Sequence, residues 1–67
     1  ETKDIVDLAL SLLPPVQKSI VILRDLEGYK YAEIAEILEI SESQVKVYLY
    51  RARKKMKKQL KDLTLVQ

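Results

Sequence analysis

The sequence predicts an all-α fold, a small four-helix domain that contains a helix-turn-helix. Apolar residues recur at helical spacing in four segments, which are separated by Pro14-Pro15, by the single glycine Gly28 and by Ser41. No segment shows the alternation that is typical of a strand. The last two segments are a short helix and a long amphipathic helix joined by a turn of a few residues, which is the arrangement of a helix-turn-helix.

The first predicted helix covers about residues 2–13, and Pro14 ends it because proline has no N–H to donate. The second covers about residues 15–26 and begins with Pro15, in the turn where a missing N–H costs little. Gly28 follows, where a left-handed cap favours a residue without a Cβ. The residues expected to face the core are Ile5, Leu8, Ala9, Leu12 and Leu13 of the first helix and Val16, Ile20, Ile22, Leu23 and Leu26 of the second.

The third predicted helix covers about residues 31–38, and its small Ala35 lets another helix cross closely. The fourth follows Ser41, a favourable N-cap residue that has Gln44 three positions later as its capping-box partner, and continues past Leu60. The expected core residues are Ile34, Ala35, Ile37 and Leu38 of the third helix and Val45, Leu49, Ala52, Met56, Leu60 and Leu63 of the fourth.

Charge is distributed unevenly along the chain, although the net charge of the 67 residues is only +2. Residues 1–40 hold four basic and eight acidic residues, for a net charge of −4, and residues 41–67 hold eight basic and two acidic residues, for +6. An acidic N-terminal part followed by one basic helix indicates a polyanionic partner for that helix. The alternative is a basic helix face that is only solvated.

The fourth helix should present a mixed polar face opposite its apolar stripe. An arginine on such a face can bind the O6 and N7 atoms of guanine, an aliphatic group can contact a thymine methyl, and flanking cations can bind phosphates. This composition predicts a helix that enters the major groove of DNA. The outward face should carry Ser43, Val47, Tyr50, Arg51 and Lys54, with Gln44, Lys46 and Arg53 at its flanks.

Several function classes are disfavoured by composition. The chain has no histidine, no cysteine and no glycine-rich phosphate loop, so we expect no enzyme, no metal site and no cofactor. No apolar run approaches the roughly 20 residues that cross a bilayer, so we expect no membrane insertion. The absence of cysteine is compatible with the reducing cytoplasm, and we expect a cytoplasmic location. Residues 1–67 are expected to form one domain. Because the chain begins with glutamate and not methionine, we expect it to be a piece of a longer one.

Five segments together resemble region 4 of bacterial sigma factors, most closely the extracytoplasmic-function type. The resemblance covers about residues 13–60. The segments are Leu13-Pro14-Pro15 with Gln17-Lys18, Ile22-Leu23-Arg24-Asp25-Leu26-Glu27-Gly28-Tyr29, Tyr31-Ala32-Glu33-Ile34-Ala35-Glu36-Ile37-Leu38, Val45-Lys46, and Leu49-Tyr50-Arg51-Ala52-Arg53.

The resemblance implies a four-helix domain that binds the promoter −35 element as part of RNA polymerase holoenzyme. Region 2 of this family, which opens the −10 element, has no counterpart in the sequence, so the resemblance also implies a C-terminal fragment of a longer sigma factor. It also implies docking on the flap of the polymerase β subunit and sequestration by an anti-sigma factor. Lys46, Val47, Tyr50 and Arg51 match positions that approach bases or adjacent phosphates. The positions that match backbone-contacting residues of the family are Lys18, Tyr31, Ser43, Gln44 and Arg53.

The chain departs from the usual family pattern at four places, which bear on promoter sequence more than on fold. Glu39 stands where the family usually has glycine before the turn, and Lys30 replaces a usual serine or threonine cap. Ser43-Gln44 replaces a usual Gly-Thr, and Val47-Tyr48 stands where serine or threonine followed by arginine is common.

Two other functions fit the sequence. The acidic first half and the apolar helix faces could serve a protein-interaction module that binds a regulator or a polymerase surface. The chain could also be another helix-turn-helix transcription regulator, such as the effector domain of a response regulator. The Leu13-Pro14-Pro15 opening and the Tyr50-Arg51-Ala52-Arg53 string argue against that last alternative.

Overall fold

The fold was analysed in a computed structural model, which describes the backbone of residues 2–65 and the side chains of residues 4–62. This part of the chain contains four helices and no strand, so the predicted fold class is confirmed. The helices are α1 (Thr2–Ser11), α2 (Pro15–Val21), which continues directly into a π-helical turn (Ile22–Leu26), α3 (Tyr31–Leu38) and α4 (Glu42–Leu65).

Helix α4 organises the core, because it packs against α1, α2 and α3. Its 24 residues extend about 36 Å at 1.5 Å per residue, which explains the 40 × 18 × 15 Å shape of the molecule. Among the side chains described up to residue 62, Met56 is the last apolar one of α4 that packs against the core. The core residues are Leu10, Leu13, Ile20, Val21, Ile34, Ala35, Val45, Leu49 and Ala52.

The predicted inward face of α1 is partly wrong. Leu8 and Leu12 are 47% and 45% exposed, whereas Leu10 is buried. The helix and the turn that follows it carry two overlapping apolar stripes, and the one that packs inward is Val6, Ala9, Leu10 and Leu13, at i, i+3, i+4 and i+7. Periodicity alone does not choose between two such stripes, because the choice depends on where α4 lies.

Three more residues expected in the core are exposed, namely Val16 at 46%, Leu26 at 64% and Ile37 at 51%. Val16 lies in the first turn of α2, and Ile37 lies at the edge of the α3 apolar face. Leu26 is turned outward by the π-helical turn, in which the N–H of Glu27 donates to the carbonyl of Ile22 at 3.0 Å. That wider turn rotates the end of the helix away from a 3.6-residue register. The side chain of Leu63 lies outside the described residues.

The predicted helix caps are confirmed at two positions. Gly28 has φ +76° and follows the π-helical turn as a left-handed cap. At the start of α4, the Ser41 hydroxyl accepts from the N–H of Gln44 at 3.1 Å, and the Gln44 Oε1 accepts from the N–H of Ser41 at 2.9 Å. This reciprocal pair is a capping box, which satisfies two backbone donors at the entry to α4.

The N-terminus of α3 is capped from one side only. The Glu33 carboxylate accepts from the backbone N–H of Lys30 at 2.8 Å. Lysine has no acceptor atom, so Lys30 cannot return the bond as serine or threonine would. One half of a capping box therefore replaces the usual pair at this end.

The turn between α3 and α4 is built on Glu39, which adopts the left-handed conformation at φ 56° and ψ 45°. The N–H of Ile40 donates to the carbonyl of Ala35 at 3.0 Å, and the N–H of Glu39 donates to the carbonyl of Glu36 at 3.4 Å. These two bonds form a Schellman motif. A residue with a Cβ therefore occupies a position that favours glycine.

We expect Glu39→Gly to stabilise the domain by about 0.5–1 kcal/mol, because a left-handed L-residue costs about 1–2 kcal/mol and the more flexible unfolded chain of glycine offsets part of that gain. Urea denaturation followed by circular dichroism measures the change. Glu39→Ala is the control, since it removes the carboxylate at the α3 C-terminus but keeps the Cβ. Equal stabilisation by both variants would assign the effect to charge and contradict the conformational explanation.

Candidate nucleic-acid interface

The outward face of α4 is oriented as the sequence predicts. Val45, Leu49 and Ala52 are 0–2% exposed and face the core, whereas Val47 and Tyr50 are 45% and 68% exposed. The polar and charged residues predicted on this helix are also exposed, namely Ser43, Gln44, Lys46, Arg51, Arg53 and Lys54.

A groove runs along one side of this face, where α4 meets the start of α3. It has a volume of about 410 Å³. Five of the predicted site residues line it, together with the core residue Leu49 and with Lys57, which was not predicted as a site residue. The lining residues are Tyr31, Lys46, Leu49, Tyr50, Arg53, Lys54 and Lys57. Two aromatic rings and four cations therefore surround one groove, a composition that suits a phosphate backbone.

The other predicted residues do not line the groove. Val47 and Arg51 are exposed on the outward face of α4, and Lys18 is exposed on α2. Ser43 lies in the first turn of α4, while the Oε1 of Gln44 is used in the capping box. The amide nitrogen is the part of the Gln44 side chain that this bond leaves for an external acceptor.

Tyr31 is held between two cations at the edge of the groove. The Arg24 guanidinium carbon lies 4.6 Å from the centre of the Tyr31 ring, and the Lys46 Nζ lies 5.7 Å from the same centre. A nitrogen of Arg24 also donates to the carbonyl of Tyr29 at 2.9 Å. These cation–π contacts link the π-helical turn, the start of α3 and the first half of α4.

Arg53 has an internal partner, Asp25 of the π-helical turn. Its Nε donates to one carboxylate oxygen of Asp25 at 3.1 Å, and its Nη2 contacts the other oxygen. The hydrogen bonds to Asp25 raise the pKa of Arg53 further above its usual range. By contrast, Arg51 has no hydrogen bond or ion pair within the described residues.

Three residues of this site were not predicted from the sequence, namely Arg24, Asp25 and Lys57. Arg24 and Asp25 contact residues that lie on other helices, and the Asp25–Arg53 pair spans 28 positions. No local spacing could have revealed these contacts. Lys57 could have been found, because it lies three positions after Lys54, on the same side of the helix.

Residues 3–56 match the family model for sigma-70, region 4. The chain belongs to this family. The resemblance to sigma factor region 4 is thus confirmed, and the extracytoplasmic-function type is consistent with the match. The comparisons with curated proteins and with solved structures give no significant match.

Membership of the family establishes the general role of this region 4 domain. It is a DNA-binding helix-turn-helix domain of the transcription machinery that interacts with DNA and RNA polymerase, and it is not an enzyme. The match ends at Met56, so the basic residues Lys57, Lys58 and Lys61 lie beyond the matched segment. Within residues 2–65, no helix combines the length and apolar character needed to cross a membrane.

Proposed function

We propose that this domain recognises the promoter −35 element as the C-terminal DNA-binding domain of a cytoplasmic sigma factor. The observation that supports the proposal most is the exposed mixed face of α4, where Val47, Tyr50 and Arg51 stand opposite a buried stripe. A rigid helix that keeps a guanidinium, an aromatic ring and an aliphatic group in solvent has the groups that read base edges in the major groove.

The proposed contacts fall into two classes. Lys46, Val47, Tyr50 and Arg51 approach bases or the adjacent phosphates. Phosphate contacts fix the register without reading sequence, and they come from residues at the flanks and on other helices. The proposed backbone-contacting residues are Lys18, Tyr31, Ser43, Gln44, Arg53 and Lys54.

Selection of duplexes from a random-sequence pool by the 67-residue chain tests this function. We expect a preferred sequence to emerge and its binding to weaken steeply with salt, because phosphate contacts release counterions. Replacing thymine by deoxyuridine where Val47 contacts a methyl should weaken binding about two- to fivefold, the value of roughly one buried methyl group. A pool that remains random at every salt concentration would contradict sequence-specific binding.

A second role, docking on the polymerase β flap or on an anti-sigma factor, is favoured by a different surface. A groove of about 420 Å³ is lined by Tyr29, Glu33, Glu36 and Ile37, and it combines acidic and apolar groups. This surface lies outside the cationic groove, so both roles can coexist. Binding of an isolated β flap to the chain without DNA would support this role, and binding that requires DNA would count against it.

A further inference from the structure

The Asp25–Arg53 pair places a carboxylate at the arginine that lines the cationic groove. Asp25 lies in the π-helical turn and Arg53 lies on α4, and the guanidinium uses two of its nitrogens to contact both carboxylate oxygens. The side chains are 34% and 51% exposed, respectively, so water and other solutes can reach the pair. The remaining cations of the groove are Lys46, Lys54 and Lys57.

A carboxylate and a phosphate offer a guanidinium the same arrangement, two oxygens that accept parallel N–H bonds. Asp25 therefore occupies one of the two edges of the Arg53 guanidinium, that of Nε and Nη2, which could otherwise bind a DNA phosphate. We propose that Asp25 is an internal substitute for a DNA phosphate, which Arg53 exchanges for a true phosphate when the domain binds DNA. This inference rests on the proposed function. It assigns to Asp25 the role of limiting the affinity of the domain for any duplex.

The exposure of the pair makes such an exchange feasible. A half-exposed ion pair is weak, and losing it changes an equilibrium by no more than about fivefold. A fully buried pair would instead hold Arg53 against any external anion. Since the carboxylate also repels nearby phosphates, Asp25 weakens phosphate binding and leaves more of the total affinity to base contacts.

Asp25→Asn tests the exchange in the full chain. We expect it to bind a fluorescent duplex of mixed sequence about two- to fivefold more tightly than the unmodified protein at low salt, because Arg53 no longer has to leave an ionic partner. Asp25→Ser is a second neutral variant, and circular dichroism melting shows that each variant is folded. Glu27→Gln is the matched control, since it removes one negative charge from an exposed position two residues away.

The gain should require Arg53. In an Arg53→Ala background we expect Asp25→Asn to leave duplex affinity unchanged, so that the two substitutions couple in a double-mutant cycle. The exchange would be overturned if the gain in duplex affinity persisted without Arg53 or if Glu27→Gln reproduced it. The change in net charge would then be enough to explain the gain. Weaker binding by both neutral Asp25 variants would overturn it too, because Asp25 would then position Arg53. Absence of duplex binding by the unmodified protein would instead refute the proposed function itself.

Discussion

Ile34→Ala is expected to leave a large fraction of the protein unfolded in dilute buffer at room temperature. Ile34 is 0% exposed and belongs to the core formed by α1, α2, α3 and α4. Truncating a buried isoleucine to alanine costs about 2–5 kcal/mol, because transfer energy is lost and a cavity remains. A domain of this size, with no disulfide, rarely has more than about 3–5 kcal/mol of stability.

Ile37→Ala is the matched control for this experiment. It removes the same atoms from the same helix, but Ile37 is 51% exposed, so we expect a loss of well under about 1 kcal/mol. Urea denaturation followed by the helical circular dichroism signal measures both variants. Similar losses for the two variants would contradict the burial of α3 described above.

Local features of this fold could be predicted from the sequence because their causes lie within a few residues. The capping box needs only Ser41 and Gln44, which are three positions apart, and the left-handed cap needs only Gly28. The short α3 and the long α4 follow from apolar periodicity and these caps. The same reasoning placed Val47, Tyr50 and Arg51 on the exposed face of α4.

Features that depend on distant contacts could not be predicted. The choice between the two apolar stripes of α1 is made by α4, and the π-helical turn that exposes Leu26 has no local sequence signal that we could identify. In the site, Arg24 contacts Tyr31, and Asp25 contacts Arg53 across 28 positions. The sequence predicted which cations face outward but not which of them already have an anionic partner.

Arg51 and Arg53 differ in whether they have an anionic partner, and this difference leads to the prediction with the largest effect on DNA binding. Arg51 has no ionic partner within the described residues, whereas Arg53 is paired with Asp25. We expect Arg51→Ala to weaken binding to the selected duplex by about 1–3 kcal/mol, or roughly 5- to 150-fold, which is the value of a bidentate arginine–guanine contact. Titrations of the selected and scrambled duplexes, followed by fluorescence anisotropy, measure affinity and preference together.

The comparison with Lys58→Ala distinguishes base reading from charge. Lys58 is exposed on α4, seven residues after Arg51, and its removal deletes the same positive charge. Lys58→Ala should weaken binding to both duplexes by a similar small factor, because a phosphate contact carries no sequence information. Arg51→Lys should keep much of the salt-dependent affinity but lose the preference, since lysine lacks the two parallel donors of a guanidinium. If Arg51→Ala weakened binding to the scrambled duplex as much as binding to the selected one, Arg51 would be a phosphate ligand. Base recognition would then have to come from Val47 and Tyr50.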